Sequence, residues 1–498
     1  MKRIAAALLG LVMMAAALSG CGSQEAANAE SKPNLKVLQT WMAEDYNDYP
    51  VAKMLEEKTG YHVTYDALPQ TNVDEKLNML IASQEPYDLV SVPAGASVKS
   101  LFYSYAAKGA LEPLDEYIEK STYLKSVISD ESYDAVRYEG KIYAIPTKSM
   151  PDVRGNIIVR KDWLDKLGMK VPETVDDFTE MLRAFRDQDP GGNGADKNIP
   201  FSTAGGAIVG NLTGAFGIPA DWNDVDGNLV NIVNDPNTKK YIEYMNQLYQ
   251  EGLIEKEMPA NKESTLKEKF TSGRLGAMYL NWYDIPTVVG ALEKNISGAE
   301  IVSIPILTGP DGQCGISRQN NLERLTFIPK SSKNKEAAVC WMDAKLEPDT
   351  FKNLVIGEEG KHHEVKDGKY YPILPIFNDE RNKAINFLSG VDENVYETYW
   401  QARVRKDTKL MEEWEHLNQN LPPEQVVDDI MGKTPYLKEY VGNTQQLSTL
   451  VSDNLLNFIV GTHPMSEYEK FVADWNAQSG EAMSKEVNDW YQTLKNKE

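Results

Sequence analysis

Between Asp187 and Asn198 the chain reads DQDPGGNGADKN, which sets the side-chain oxygens of Asp187, Asp189, Asn193 and Asp196 around three glycines. Oxygen ligands at alternate positions, with a glycine at a sharp turn, are what a loop wrapped around a hard cation such as calcium requires. The usual spacing is incomplete, so a metal loop and a plain polar turn both remain open. Other chemistry finds little footing. His362 and His363 are adjacent, so they diverge by about 100° on a helix and face opposite ways on a strand, a poor geometry for one metal. No HExxH, GxSxG, Walker A or CxxC pattern occurs. Paired carboxylates such as Glu358–Glu359 and Glu412–Glu413 carry little weight in a chain with 74 acidic residues. A glycoside hydrolase needs two acids at a set separation in space, which spacing along a chain leaves open.

The N-terminus speaks to compartment. Lys2 and Arg3 precede an uncharged apolar run from Ile4 to Leu18, shorter than the roughly 20 residues a membrane-spanning helix needs. A cationic start, a short apolar core and small residues at its end form a secretory signal. The run closes on LSGC, Leu18 to Cys21, which resembles a bacterial lipobox; that implies cleavage before Cys21 and a lipid on its sulfur. Residues 1–20 are therefore expected as signal peptide, and 21–34 as lipidated cysteine and flexible polar tether. The expected address is the extracellular face of the cell membrane, held by lipid. Removing Lys2 and Arg3 takes the formal charge from −22 to −24, which argues against nucleic acid as a partner. Only Cys314 and Cys340 then remain, too few for a disulfide framework; pairing with each other and burial as thiols are both open.

The elements that must position any site begin after the tether. Residues 35–41 read as a strand, 49–60 as a helix closed by Gly60, and 61–68 as an alternating strand. A helix over 72–83 and a short apolar strand over 87–93 follow. That order suits an α/β sheet with parallel strands, whose ligands bind at the carboxyl ends of the strands. Those ends carry Thr40, Trp41, Ala94 and Gly95. Residues 172–185 predict an amphipathic helix, with Val175, Phe178, Leu182 and Phe185 in one stripe, running straight into the glycine-rich loop.

The segment IIVRKDWLDKLGMKVPETVDDFTEMLRAFRDQDPGGNG (157–194) resembles the central signature of lipid-anchored extracellular solute-binding proteins of carbohydrate ABC importers, of the oligosaccharide-binding type (family 1), related to alginate-oligosaccharide binders. Segments 109–120, 138–147, 248–257, 356–372 and 468–492 are similar to other parts of that family, in its order. The resemblance implies a two-lobe α/β fold of the periplasmic-binding-protein type (type II), each lobe discontinuous in sequence. The first lobe is expected over 35–155 plus 305–375 and the second over 156–304 plus 376–498. The implied function is capture of an extracellular oligosaccharide between the lobes by a monomer, and its delivery to ABC permease subunits, with no catalysis and no cofactor required. Family members often carry DPxGNGxxDxIP at the loop and hold a structural calcium ion. Mapped onto DPGGNGADKNIP, Asp189, Asn193, the Ala195 carbonyl and Asp196 become the implied ligands. Gly191 and Lys197 depart from the pattern, so a calcium loop and a metal-free turn of the same shape stay open.

A sugar site needs flat aromatic platforms for ring faces, with amides, carboxylates and arginines for hydroxyls. Trp41 and Tyr46 lie in the loop after the first strand, and Trp282 and Tyr283 follow a second-lobe strand. Tyr399 and Trp400 belong to a third aromatic cluster. Gln70, Arg154 and Arg318 are polar candidates, joined by Asn156, Arg324 and Arg403, and several arginines together would favour an acidic sugar. The competing readings are a secreted carbohydrate-active enzyme on the same anchor, a peptide receptor, and a receptor that signals to a membrane sensor kinase.

Overall fold

A computed structural model describes residues 32–194 and 197–496; Cys21, the signal segment and most of the tether lie outside them. In chain order the sheet strands are β1 (Leu35–Gln39), β2 (Val63–Ala67), β3 (Leu89–Pro93), β4 (Ala144–Lys148), β5 (Gly155–Arg160) and β6 (Ile199–Ser202). They continue with β7 (Leu275–Asn281), β8 (Ile301–Ile304), β9 (Ile316–Arg318), β10 (Leu322–Phe327) and β11 (Val426–Asp428).

The first sheet runs β2-β1-β3-β10-β4. β1 pairs in parallel with β2 and β3, as the crossover helices demand, while β10 lies antiparallel between β3 and β4. Helix Pro50–Thr59 shows how local signals set this layer. Pro50 opens it, and Gly60 ends it in the left-handed region at φ 67°, its N–H donating to the Glu56 carbonyl. The second sheet runs β8-β5-β7-β6, with β5 antiparallel to both neighbours and β7 parallel to β6. Helix Val175–Asp187 packs beneath it. Thr174 and Asp177 form a reciprocal capping box at its start, and Val175, Phe178, Leu182 and Phe185 are buried as the stripe predicted.

Each sheet anchors its own apolar core, giving the two-lobe α/β architecture of type II solute-binding proteins. The lobe boundaries differ from the sequence expectation: Leu307 is buried in the second core, and the first core resumes only at Leu322. Ala384, Phe387, Leu388, Val391, Tyr396 and Ala402 are buried in the first core, so the first lobe runs on past 375 to about residue 402. Phe387 holds this segment there, edge-on to Tyr46 at 5.0 Å and to Tyr65 at 5.3 Å. The second core takes up the chain again at Met431. A separate cluster around Ile158, Phe270, Met278 and Leu292 covers the other face of the second sheet, and a small one joins Val153, Trp282, Ile316, Val404, Leu410 and Trp414 where the chain passes between lobes. Cys314 precedes β9 and Cys340 lies on helix Lys335–Ala344; the two form no disulfide. Among the described residues no helix is long and apolar enough to cross a membrane.

Candidate ligand-binding cleft

Three segments connect the lobes, and they hold one another in register. The first follows β4: Ser149 N–H donates to the Asn321 carbonyl at 3.0 Å, and Asp152 and Gln319 exchange backbone hydrogen bonds at 3.0 and 2.9 Å. The second is therefore the β9–β10 stretch. The third leaves the first lobe near Val404 and returns through β11, which pairs in parallel with β9. Asn418 accepts from the Val153 N–H at 2.7 Å, and Asp429 N–H donates to the Arg318 carbonyl at 2.9 Å. The carboxyl ends of β1 and β3 and the start of β10 face these crossings from one lobe, and the end of β7 faces them from the other.

At the end of β1, Trp41 is 48 % exposed, an unusual state for a tryptophan and the one a stacking platform needs. Beyond β7, Tyr283 is also 48 % exposed, and burial of its surroundings raises its hydroxyl pKa, with Asp284 adding to the rise. Trp282 behaves differently. It is 6 % exposed, its indole N–H donates to Asp152 at 3.0 Å, and its ring meets Tyr283 and Trp400 edge-on at 5.5 Å each. Burial pushes the Asp152 carboxyl above its usual range, partly offset by that indole hydrogen bond. Trp400 is wedged between Trp282 and Trp414, 5.5 Å from each. The Trp282 N–H donates to the Arg154 carbonyl at 2.9 Å, so Arg154, Trp282, Tyr283 and Trp400 converge at the crossings.

Tyr46 does not join them. At 2 % exposure it is part of the first core, stacked on Tyr65 and edge-on to Phe387, with its hydroxyl donating to the Thr40 carbonyl at 3.0 Å. The turn in WMAEDYNDYP folds Tyr46 back under the sheet while Trp41 stays out, which is a correction to the expected contact set. Tyr399 packs half-buried against Tyr370 and Phe351 rather than standing open. Asn156 is likewise committed, donating to Glu413 at 2.7 Å and accepting from the Ile304 N–H. Gln70 is exposed just past β2, and Arg318 is ion-paired with Asp428 at 2.6 Å.

The structure adds residues that spacing did not reveal. Lys99, on helix Ala96–Ala107 at the end of β3, has Asp429 of the third crossing as its neighbouring charge; burial lowers its pKa and Asp429 works against that. Asp221, in the second lobe beside buried Trp222, is exposed to solvent. Desolvation raises its carboxyl, and the like charge of Asp429 raises it further. Asp429 is itself raised by desolvation, against the Met431 N–H it accepts and the charge of Lys99. The one signal in sequence was a carboxylate and an aromatic side by side in ADW, 220–222, too short to stand out.

The loop at 187–198 is described apart from Ala195 and Asp196, two of the four implied ligands. Its described donors are arranged as a hydrogen-bonded turn. Asp189 accepts from the Asn193 N–H at 3.0 Å, the Gly194 N–H at 3.0 Å and the Asn198 amide at 2.7 Å. Desolvation pushes its carboxyl up, but these donors outweigh it and hold the pKa below the usual carboxylate range. The Asn193 amide donates to Asn198 and to the Gly273 carbonyl, both at 3.0 Å, and Asp187 is paired with Arg186. A Cβ on Gly191, where a third ligand would sit, would stand 2.6 Å from Trp163 and 2.7 Å from the Asn198 oxygen. The described residues of the loop thus form an amide-closed turn around Asp189.

Two lobes joined by three hydrogen-bonded crossings, with Trp41 and Tyr283 exposed just past the ends of β1 and β7, are the architecture of a solute-binding protein. The chain belongs to the bacterial extracellular solute-binding protein family, whose model matches residues 34–349. It is 25 % identical over 98 % of both chains to lipoprotein LipO of Bacillus subtilis. To the polygalacturonan/rhamnogalacturonan-binding protein YtcQ of the same organism it is 23 % identical over 96 % of both chains. The fructooligosaccharide ABC transporter substrate-binding protein FusA of Streptococcus pneumoniae is 28 % identical over 67 % of both chains. The structure of FusA with kestose superposes with a TM-score of 0.72, at 21 % identity, covering 94 % of this chain and all of that one.

Proposed function

We propose that this protein captures an extracellular oligosaccharide between its lobes and hands it to the permease subunits of an ABC importer, as a monomer tethered by a lipid on Cys21 to the outer face of the cell membrane. The observation that carries the reading is the pair of open aromatic rings, Trp41 on the first lobe and Tyr283 on the second, placed at the strand ends that face the crossings. A flat apolar ring beside polar groups is what the face of a sugar ring packs against. The relatives YtcQ and FusA, named as polysaccharide- and oligosaccharide-binding proteins, support the substrate class, and the lipoprotein LipO supports the anchor. The cycle requires no reacting group: ligand bridging both lobes stabilises the closed form, which the membrane subunits recognise.

The test is thermal unfolding of the mature chain against a panel of oligosaccharides, followed by calorimetry on any hit. A ligand bound only by the folded protein raises the melting temperature by mass action, by about 2.7 kcal/mol of stability at a hundredfold excess over Kd. Stoichiometric binding without new reducing ends is expected. Turnover of the sugar would move the protein to the enzyme class, and a flat panel with a well-folded protein would remove the sugar reading.

A further inference from the structure

The lobes also meet beside the third crossing, through side chains. After β11 the chain reads IMGKTPYLKEYV, residues 430–441, and its apolar groups are shared out between the lobes. Met431 and Leu437 are buried in the second core and Tyr440 packs against it, whereas Tyr436 and Val441 pack against the first core. The Tyr436 ring lies 4.5 Å from that of Tyr103 and meets Tyr138 edge-on at 5.1 Å. Tyr103 is fixed in the first lobe: it is buried on helix Ala96–Ala107, and its hydroxyl donates to the Ala135 carbonyl at 2.7 Å. The other side is fixed in the second lobe. The Glu439 and Tyr440 N–H groups donate to Glu486 at 2.8 and 3.0 Å, which ties the start of helix Lys438–Val460 to helix Glu481–Lys495. Lys433 and Glu131 form an ion pair between the lobes at 3.6 Å.

We propose that Tyr436 closes an interlobe clasp that opposes closure of the cleft, so that its contacts with Tyr103 and Tyr138 help set how tightly the protein holds its solute. The inference rests on the solute-receptor reading and adds a determinant of affinity made between the lobes rather than with the ligand. The clasp is formed in the arrangement in which Trp41 and Tyr283 each stand about half in solvent. Capture needs the lobes to rotate and bring those two rings onto the ligand. Each side of the clasp is anchored in its own lobe, so that rotation moves Tyr436 against Tyr103 and Tyr138. Packed rings tolerate little displacement, since a gap of about 0.5–1 Å already forfeits a quarter to a half of the dispersion attraction. Ligand contacts must then supply what the clasp gives up, and apparent affinity falls with the fraction of molecules able to close. The Lys433–Glu131 pair is partly in water and adds little to the rings.

The experiment titrates the mature chain by calorimetry with kestose, nystose, raffinose, stachyose and oligomers of xylose, mannose and galacturonic acid, and records X-ray scattering of each chain without sugar. Tyr436→Ala should bind the sugar roughly three- to tenfold more tightly than wild type, the span expected when one aromatic contact is lost from the open form. It should also melt lower, and a loss of stability joined to a gain in affinity is not what a merely structural role produces. Tyr138→Ala, which removes a ring from the first-lobe side, should gain affinity in the same direction and add nothing when combined with Tyr436→Ala. Tyr436→Phe keeps the ring and should bind as wild type does. Unchanged or weaker binding in either folded alanine variant overturns the proposal while leaving the receptor intact. If nothing in the panel binds wild type, the sugar reading fails, and scattering decides the clasp by itself. Both alanine variants should then have a smaller radius of gyration than wild type, and equal radii overturn it.

Discussion

Two tryptophans that spacing ranks as equals have opposite jobs. Trp282 is closed in by Tyr283 and Trp400 and gives its indole N–H to Asp152, a carboxylate that burial makes costly to leave unpartnered. Trp41 has nearly half its surface in water. Trp282→Ala is therefore expected to cost about 3–5 kcal/mol of stability, while Trp41→Ala stays within about 0.5 kcal/mol of wild type and loses affinity for the sugar. Chemical denaturation of both variants, paired with titration of the ligand found by the panel, separates the roles. A Trp41→Ala protein that binds normally would remove Trp41 from the site, and a fully stable Trp282→Ala protein would contradict the packing. The distinction is illegible in sequence because both residues sit just past a strand end, and only the third partner, Trp400, decides which is covered.

At the scale of elements, the loop after helix Val175–Asp187 raises the question of metal. We infer that it holds its shape without calcium, because Asn193 and Asn198 supply the cross-links around Asp189 that an ion would otherwise supply. The melting temperature is expected to be the same in chelator and in ~1 mM calcium, a concentration extracellular calcium modules respond to. Asn198→Ala, which removes the amide that bonds both Asp189 and Asn193, should lower stability by about 1–3 kcal/mol in either medium. A rise in melting temperature with calcium would return the ion to the loop. The elements themselves were largely legible. The first five, from β1 to β3, fall within two residues of their expected bounds, since Pro50, Gly60 and strand alternation are local signals. The excursion of residues 384–402 into the first core was not, because its cause is the edge-on packing of Phe387 against Tyr46 and Tyr65, far upstream in the chain. No pattern within the segment itself announces that contact. The charged neighbours were hidden for the same reason: Lys99, Asp221 and Asp429 belong to three separate stretches that only the folded crossings bring near one another.

For the molecule as a whole, the function assigned to the lobes depends on how freely the crossings let one rotate against the other. The second and third crossings touch at Gly432, where an added Cβ would stand 2.1 Å from the Asn320 carbonyl oxygen and 2.5 Å from the Asn321 side chain. Neither Asn320 nor Gly432 contributes to the two main cores. Gly432→Ala should therefore push the third crossing off the second while both lobes stay folded, at an overpacking cost of about 1–3 kcal/mol. Asp429 and the Arg318 carbonyl it bonds lie a few residues away along the same contact, so the displaced crossing also carries Asp429 with it. If closure needs the crossings in register, a penalty of ~1.4 kcal/mol on the closed form weakens apparent affinity tenfold. Small-angle scattering gives the second readout: the wild type should contract when its sugar is added, and the variant should contract less at the same ligand concentration. Normal affinity and full contraction in Gly432→Ala would show that the crossings bend elsewhere, and would place the hinge in the Ser149–Asp152 ladder instead.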